Sequence, residues 1–323
     1  MPDTKSKVLK YLEDNRGQFS SGETIASELN LSRNSVWKAI ESLRREGFRI
    51  EAASRRGYFL SGKADRISKD EISLYLDKSI NINDITIYET LESTNKTAKS
   101  AAVLDARHGS VIISEIQSNG TGKRKSSFTS PKGGIYMSII LRPENLSFSN
   151  CSLITPLTTV CICKALEASS GLSPSIKWMN EIYLNDKKVC GILTESGGDF
   201  DTGDMQYVVV GIGIYFSSDS LIENAKSPIG SLFKSGEEPI SRNELIAYIL
   251  NELLSSSNSE KFSDPEFIIA EYKKRLKSLG KTVTINSDEG TYTAKAIDID
   301  KNGKLIVELP DKTTKTLSSE YLS

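Results

Sequence analysis

SEIQSNGTGKRKSSFTSPKGGIYMSIILRP, residues 114–143, joins two strand-like runs through a glycine-broken basic loop. VIISEI (111–116) enters it and IYMSIIL (135–141) leaves it, each bounded by turn residues, as strands are. Between them Gly120 and Gly122 free the backbone to approach an anion, and Lys123, Arg124 and Lys125 follow at once. Amide N–H groups and cations facing one charge suit a polyphosphate. The P-loop pattern G-x-x-x-x-G-K-[ST] is absent. A solvated charged loop would carry the same residues, so neighbouring segments must discriminate.

The alternation continues on both sides. ITIYE (85–89), SIKWM (175–179), KVCGILTES (188–196) and MQYVVVGIGIYF (205–216) read as strands, and 94–104, 152–170 and 241–256 as helices. That predicts a mixed α/β domain. A polar tract at 255–264 precedes a last helix, PEFIIAEYKKRLKSLG. Residues 280–323 alternate like strands, with turns at 288–290 and at Asn302-Gly303, which predicts a small β-barrel.

The first sixty residues differ. Val8, Leu9 and Leu12 form an amphipathic stretch. Ser20 and Glu23 read as a capping box for a second helix, Asn30-Leu31 as a tight turn, and Ser32 as the cap of a third helix with Val36, Ile40 and Leu43 on one face. FRIEAAS and YFLSG then read as a hairpin around Arg55-Arg56-Gly57. The order is that of a winged helix-turn-helix, whose third helix reaches base edges with its N-terminal residues. Ser32, Arg33, Asn34, Ser35 and Lys38 are the candidates there, with Arg55 and Arg56 at the hairpin tip. Residues 33–56 hold seven basic and three acidic side chains in a chain of net charge −1, a local concentration of the kind phosphate binding needs. Trp37, beside the polar face, reads as core. Ser68 to Glu71 reads as another capping box in a connector.

The chain of 323 residues is 38% hydrophobic and 26% charged, long enough for two or three domains. The expected boundaries are 1–62, 63–276 and 277–323. No apolar run reads as long enough to span a bilayer, and the N-terminus has no signal-peptide core. A cytoplasmic protein without membrane contact is expected. The four cysteines have no metal or redox spacing and read as packed thiols. The single histidine, His108, reads as a loop residue, so any chemistry has to manage without a histidine base.

Ile176-Lys177-Trp178 sets a lysine among apolar neighbours, costly without an anionic partner. Gly211 and Gly213 in a strand would let a ligand lie against the backbone. Ser93-Thr94-Asn95 opens a helix after a strand. With these in order, the chain resembles the biotin protein ligases, and with its head the bifunctional kind that also represses transcription. The motifs are S-T-N at 93–95, Gln117 before the basic loop, S-P-x-G-G-x-Y at 130–136, K-W-x-N at 177–180, G-I-L-x-E at 191–195 and G-I-G-I at 211–214. Together they cover nearly the whole chain.

The resemblance implies an α+β multidomain protein: winged helix, central sheet of the class II synthetase kind, and C-terminal SH3-like barrel. It implies that Ser93, Thr94, Asn95 and Gln117 hold the biotin ureido ring, that Thr121, Gly122 and Lys123 fold over the acyl-adenylate, and that Lys177 is catalytic at the carboxylate and α-phosphate. Gly120, Gly122, Lys123, Arg124, Phe128, Asn180 and Tyr215 would meet the nucleotide. ATP with Mg2+, biotin as substrate, biotinoyl-AMP as corepressor, a biotin carboxyl carrier protein, operator DNA and an adenylate-loaded homodimer are the implied ligands and partners. The metal's ligands are left open.

The departures cluster on the nucleotide side. The family loop G-R-G-R-x-G-R is Gly120-Thr121-Gly122-Lys123-Arg124-Lys125-Ser126 here, Phe128 stands where tryptophan is usual, Glu181 replaces an aspartate, and Tyr215 replaces an asparagine amide. They keep a second reading open, a DNA-binding biotin sensor with impaired ligation. A lipoate-type ligase fits the S-T-N and Gln117 set less well.

Overall fold

The computed structural model describes residues 3–15, 18–45, 48, 50–53, 56–60, 66–142, 151–198, 205–217, 228–256, 264–287, 290–317 and 321–322. Arg55 and the expected boundary at 62/63 lie outside them. The chain divides into two compact units, Met1–Asp77 with Ile240–Ala247, and Lys78–Pro239 with Tyr248–Ser323.

In the first unit, α1 (Thr4–Asp14), α2 (Gly22–Leu29) and α3 (Arg33–Arg45) precede the hairpin β1 (Ile50–Ala53) and β2 (Gly57–Leu60). Val8, Leu9 and Leu12 of α1 meet Ile25, Val36, Ile40 and Leu43 in one apolar core, which is why the amphipathic spacing was readable. Asn30 ends α2 in the left-handed region, φ 53°, and Ser32 Oγ caps α3 by accepting from Ser35 N at 3.1 Å. The cap of α2 is Ser21, which accepts from Thr24 N at 3.0 Å, rather than the expected Ser20. Ser20 instead exchanges both backbone hydrogen bonds with Tyr58, at 2.9 and 2.8 Å, and so ties the hairpin to the helices.

The expected box at Ser68 is half formed. Ser68 Oγ accepts from Glu71 N at 3.3 Å and caps α4 (Lys69–Tyr75). The return bond is replaced by Asn243, whose Oδ1 accepts from Ser68 N at 2.9 Å and whose Nδ2 donates to Glu71 Oε2 at 2.6 Å. Both Asn243 and Glu71 are fully buried, and the compact unit therefore runs on to Asp77.

The second unit is built on a seven-stranded sheet, order β3-β4-β5-β9-β8-β7-β6. Its strands are β3 (Ile85–Leu91), β4 (Val111–Gln117), β5 (Ile135–Leu141), β6 (Ser175–Lys177), β7 (Glu181–Leu184), β8 (Lys187–Gly198) and β9 (Met205–Ile214). Only β3 and β4 pair in parallel. The short β7, EIYL, was not foreseen as a strand of its own.

Helices α5 (Thr94–Val103), α6 (Ile154–Ser170), α7 (Arg242–Ser256) and α8 (Pro265–Arg275) follow the expected positions. Contrary to the sequence expectation, Cys151–Ser170 is by length and composition apolar enough to cross a membrane, but 67% of its most apolar 18-residue stretch is buried inside the protein. It packs on β8 and α8, as a core helix does.

Residues 282–322 make the expected small β-domain, order β13-β12-β11-β10-β14, with β10 (Thr282–Ser287), β11 (Gly290–Ile299), β12 (Leu305–Glu308), β13 (Thr314–Thr316) and β14 (Tyr321–Leu322). Its turn at Gly303 receives a hydrogen bond from Trp178 Nε1 at 2.9 Å. The cysteines are free thiols, all but Cys151 buried. His108 accepts from Arg142 N at 3.1 Å, a loop role as expected.

Candidate functional site

Four pieces of the second unit converge on one cavity of about 1000 Å3. They are the start of α5, the loop after β4, the β6–β7 turn, and the facing glycines of β8 and β9. Ser93, Thr94, Asn95, Gln117, Thr121, Gly122, Lys123, Arg124, Phe128, Lys177, Asn180 and Tyr215 all line it. Of the expected residues in this unit, only Gly120 is not on the wall. It sits behind, where its carbonyl accepts from Phe128 N at 2.8 Å and a side chain would collide with Phe128 O at 2.4 Å.

One part of the wall is made of hydroxyls and amides. Ser93 caps α5. Gln117 Oε1 accepts from Thr94 N at 2.8 Å and Thr94 Oγ1 at 3.1 Å, while its Nε2 donates to Ser130 Oγ at 2.8 Å. Asn95 Nδ2 donates to Glu195 Oε2 at 2.7 Å, and its Oδ1 accepts from Ser138 Oγ at 2.6 Å. Ser130, Ser138 and Glu195 were not foreseen. Glu195 was visible only as the last letter of G-I-L-x-E, and Ser138 as one polar residue in an apolar strand.

The strand glycines act differently from expectation. A Cβ on Gly211 would lie 2.1 Å from Asn95 Oδ1, and one on Gly213 would lie 2.3 Å from the Phe128 ring. The room they leave is used by the protein's own side chains. Phe128 stacks on Tyr215, centroids 5.4 Å apart and planes 11° from parallel. Tyr215 is buried, and burial pushes its phenol up to about 12.

Cations gather on the same cavity. Lys123 Nζ lies 5.9 Å from the Trp178 ring. Lys188, unforeseen, pairs with Glu181 at 2.5 Å and lies 5.8 Å from the Phe128 ring. Lys177 stands opposite Glu181 in the β6–β7 register, but Glu181 is engaged by Lys188 and by Tyr183 OH at 3.2 Å. Burial pulls the Lys177 ammonium below its usual value, with Glu181 opposing and Lys277 and Lys188 adding to the fall. Such a group is poised for an anion.

Magnesium has no ready cage. Glu181 is the one carboxylate on the described cavity wall, and among the described residues no group of three His, Cys, Asp or Glu could hold a metal. A magnesium ion here would have to be held by a ligand's phosphates rather than by protein carboxylates.

In the first unit, Arg33, Asn34 and Lys38 are exposed along α3, while Ser35 is engaged with the cap Ser32, their hydroxyls 2.8 Å apart. Arg56 lies 4.0 Å over the Phe19 ring. Trp37 is a correction: it is 52% exposed, because the core face of α3 is already filled by Val36, Ala39, Ile40 and Leu43.

Comparison with known proteins agrees with this geometry. The family described as "Biotin/lipoate A/B protein ligase family" matches residues 87–214, an "HTH domain" residues 4–59, and "Biotin protein ligase C terminal domain" residues 278–319. The "Bifunctional ligase/repressor BirA" of Bacillus spizizenii is 32% identical over 99% of both chains. The protein of that name from Escherichia coli is 25% identical, over 90% of this chain and 89% of that one. Among solved structures, a biotin protein ligase from Aquifex aeolicus in complex with biotin and ATP superposes with a TM-score of 0.63 at 22% identity, over 74% of this chain and 98% of that one, a likeness of fold. A DNA-reading head, a central ligase domain and the C-terminal domain of biotin protein ligases, matched end to end, make this chain a member of the bifunctional biotin ligase/repressor family.

Proposed function

We propose that the chain makes biotinoyl-AMP from biotin and ATP in this cavity, passes the acyl group to a lysine of a biotin carboxyl carrier protein, and binds operator DNA as an adenylate-loaded homodimer in the cytoplasm. One observation carries the ligase half: a single cavity joins a hydroxyl-and-amide wall to the cations Lys123, Arg124, Lys177 and Lys188. A cyclic urea needs donors at its carbonyl and acceptors at its two N–H groups, which such a wall supplies. Ser93, Thr94, Asn95 and Gln117 form it.

In the first step a biotin carboxylate oxygen bonds to the α-phosphorus, the bond to the bridging oxygen breaks, and pyrophosphate leaves. Lys177 neutralises the repulsion between the two anions and the charge that builds during attack. Lys123 and Arg124 hold the phosphates, with Thr121, Gly120 and Gly122 lending backbone. Phe128, Tyr215 and Asn180 border the nucleotide. In the second step the acceptor amine bonds to the acyl carbon, AMP leaves, and the nitrogen sheds its proton to water. Both leaving groups are good, so positioning and charge carry the rate, and a histidine base is not needed.

The loop after β4 has its own fastenings, with Gly122 N donating to Ser126 O at 2.7 Å and a Thr121–Ser127 bridge. Adenylate loading adds phosphate contacts that offset the charge of Lys123 and Arg124 and order the loop, a switch for a nearby dimer surface. A single winged helix reads few base pairs, and two-fold pairing doubles the contacts.

The test incubates the protein with ATP, biotin and a carrier domain. A biotin mass increment on the carrier lysine is expected. Binding of biotin without any transfer would favour the sensor reading.

A further inference from the structure

We propose that Glu195 is a positioning residue that sets the hydrogen-bond polarity of the hydroxyl-and-amide wall, acting through Asn95 and Ser138. The inference rests on reading that wall as the biotin site.

A carboxylate only accepts hydrogen bonds. Glu195 Oε2 lies 2.7 Å from Asn95 Nδ2, and Leu193 O accepts from the same nitrogen at 3.3 Å. Two acceptors on that side leave the Asn95 amide one stable orientation, with Nδ2 toward Glu195 and Oδ1 toward Ser138. Ser138 is fully buried and has one proton. Ser138 Oγ donates toward both Asn95 Oδ1 at 2.6 Å and Thr94 Oγ1 at 2.8 Å, so its one proton is shared between them. Thr94 Oγ1 sends its own proton to Gln117 Oε1 at 3.1 Å, so toward a ligand it can only accept. Gln117 is pinned separately, because Thr94 N donates to its Oε1.

If Glu195 is replaced by a group that can donate, the Asn95 amide can turn over. Nδ2 would face Ser138, the Ser138 proton would go wholly to Thr94 Oγ1, and Thr94 Oγ1, still donating to Gln117 Oε1, would have less lone-pair density to offer a ligand. The wall would keep its shape and lose its fixed polarity. A ligand such as a cyclic urea, with donors and acceptors in set places, would feel the change, and a nucleotide bound by cations would not. Lys99 steadies the device, pairing with Glu195 Oε1 at 2.7 Å. At the opposite face of Asn95, Gly211 leaves no room for a retreat.

The experiment compares the whole protein with Glu195→Gln, Ser138→Ala and the double variant, by calorimetry with biotin and with ATP separately and by pyrophosphate exchange. Glu195→Gln is nearly isosteric and keeps the fold, which a thermal melt checks. It should raise the biotin Kd and KM roughly tenfold or more, in line with sites whose buried polar groups are mismatched. The ATP constants and kcat at saturating biotin should stay close to the parent's. Because the effect passes through Ser138, the double variant should be no worse than the poorer single one. Unchanged biotin affinity in Glu195→Gln, or equal losses for biotin and ATP, would overturn the inference. Multiplying losses in the double variant would do the same. If the parent protein itself failed to bind biotin, the reading of the wall would fall instead, and that outcome is separate from the others.

Discussion

Lys177 sits where burial and chemistry pull in opposite directions. Its folded-state pKa is lowered by desolvation, so the unfolded chain binds that proton more tightly. Stability then rises with pH between the lowered folded value and the usual one near 10.4, and the cost of the buried charge is fully present below that window. Lys177→Met should therefore leave the melting temperature at neutral pH unchanged or higher, with the difference shrinking as pH approaches 10. It should cut adenylate formation by about 10²–10³. A normal pyrophosphate exchange rate would remove Lys177 from the reaction. The two strand glycines offer a paired test. Gly211→Ala pushes on Asn95 and should lower kcat/KM for biotin, a displacement of about 1 Å costing on the order of 10²-fold, with ATP binding spared. Gly213→Ala pushes on Phe128 and should do the reverse. Calorimetry with each ligand decides. Tyr215 shows why sequence reading stopped short here. As a letter it was a lost asparagine amide. In space its ring supports Phe128, and Tyr215→Asn should loosen ATP binding by unstacking that ring.

At the scale of elements, patterns local in the chain were legible and pairings distant in the chain were not. The core spacing of α3, the Asn30 turn and the runs that became β4, β5, β8 and β9 follow from periodicity and turn chemistry alone. The Ser20–Tyr58 bridge, the Asn243–Glu71 bond and the Lys188–Glu181 pair join residues whose association no local period encodes. The same limit explains Trp37. Aromatic residues in amphipathic helices are usually buried, and only the complete packing of Val36, Ala39, Ile40 and Leu43 reveals that no room is left. Trp37 shares its face with Arg33 and Asn34, which precede it by four and three residues, the spacings that make neighbours. Trp37→Ala should leave the melt of the head nearly unchanged and weaken specific DNA binding roughly tenfold, the worth of one lost base-edge contact. A large drop in stability with unaltered DNA affinity would return Trp37 to a packing role.

For the whole molecule, every described residue on the cavity wall belongs to the second unit. A chain beginning at Arg66 should therefore still make the adenylate and lose operator binding, as read by pyrophosphate exchange and gel shift. It should also melt earlier, because α4 gives up its contact with α1, including the Lys5–Asp70 pair at 2.5 Å. The full-length loaded protein should protect a two-part palindromic site, with binding that falls steeply as salt rises. Protection by a strict monomer would leave the ligase intact and remove the dimer. The composition of the first unit also constrains how the protein is born. Asn243, whose bonds hold the start of α4, is translated about 170 residues after the helix it serves. At ribosomal speeds that is a wait of roughly ten to thirty seconds. Through that interval the buried carboxyl of Glu71 has no amide to meet. The head can fold its three helices and hairpin early, but α4 cannot be locked until the sheet of the second unit has already been synthesised.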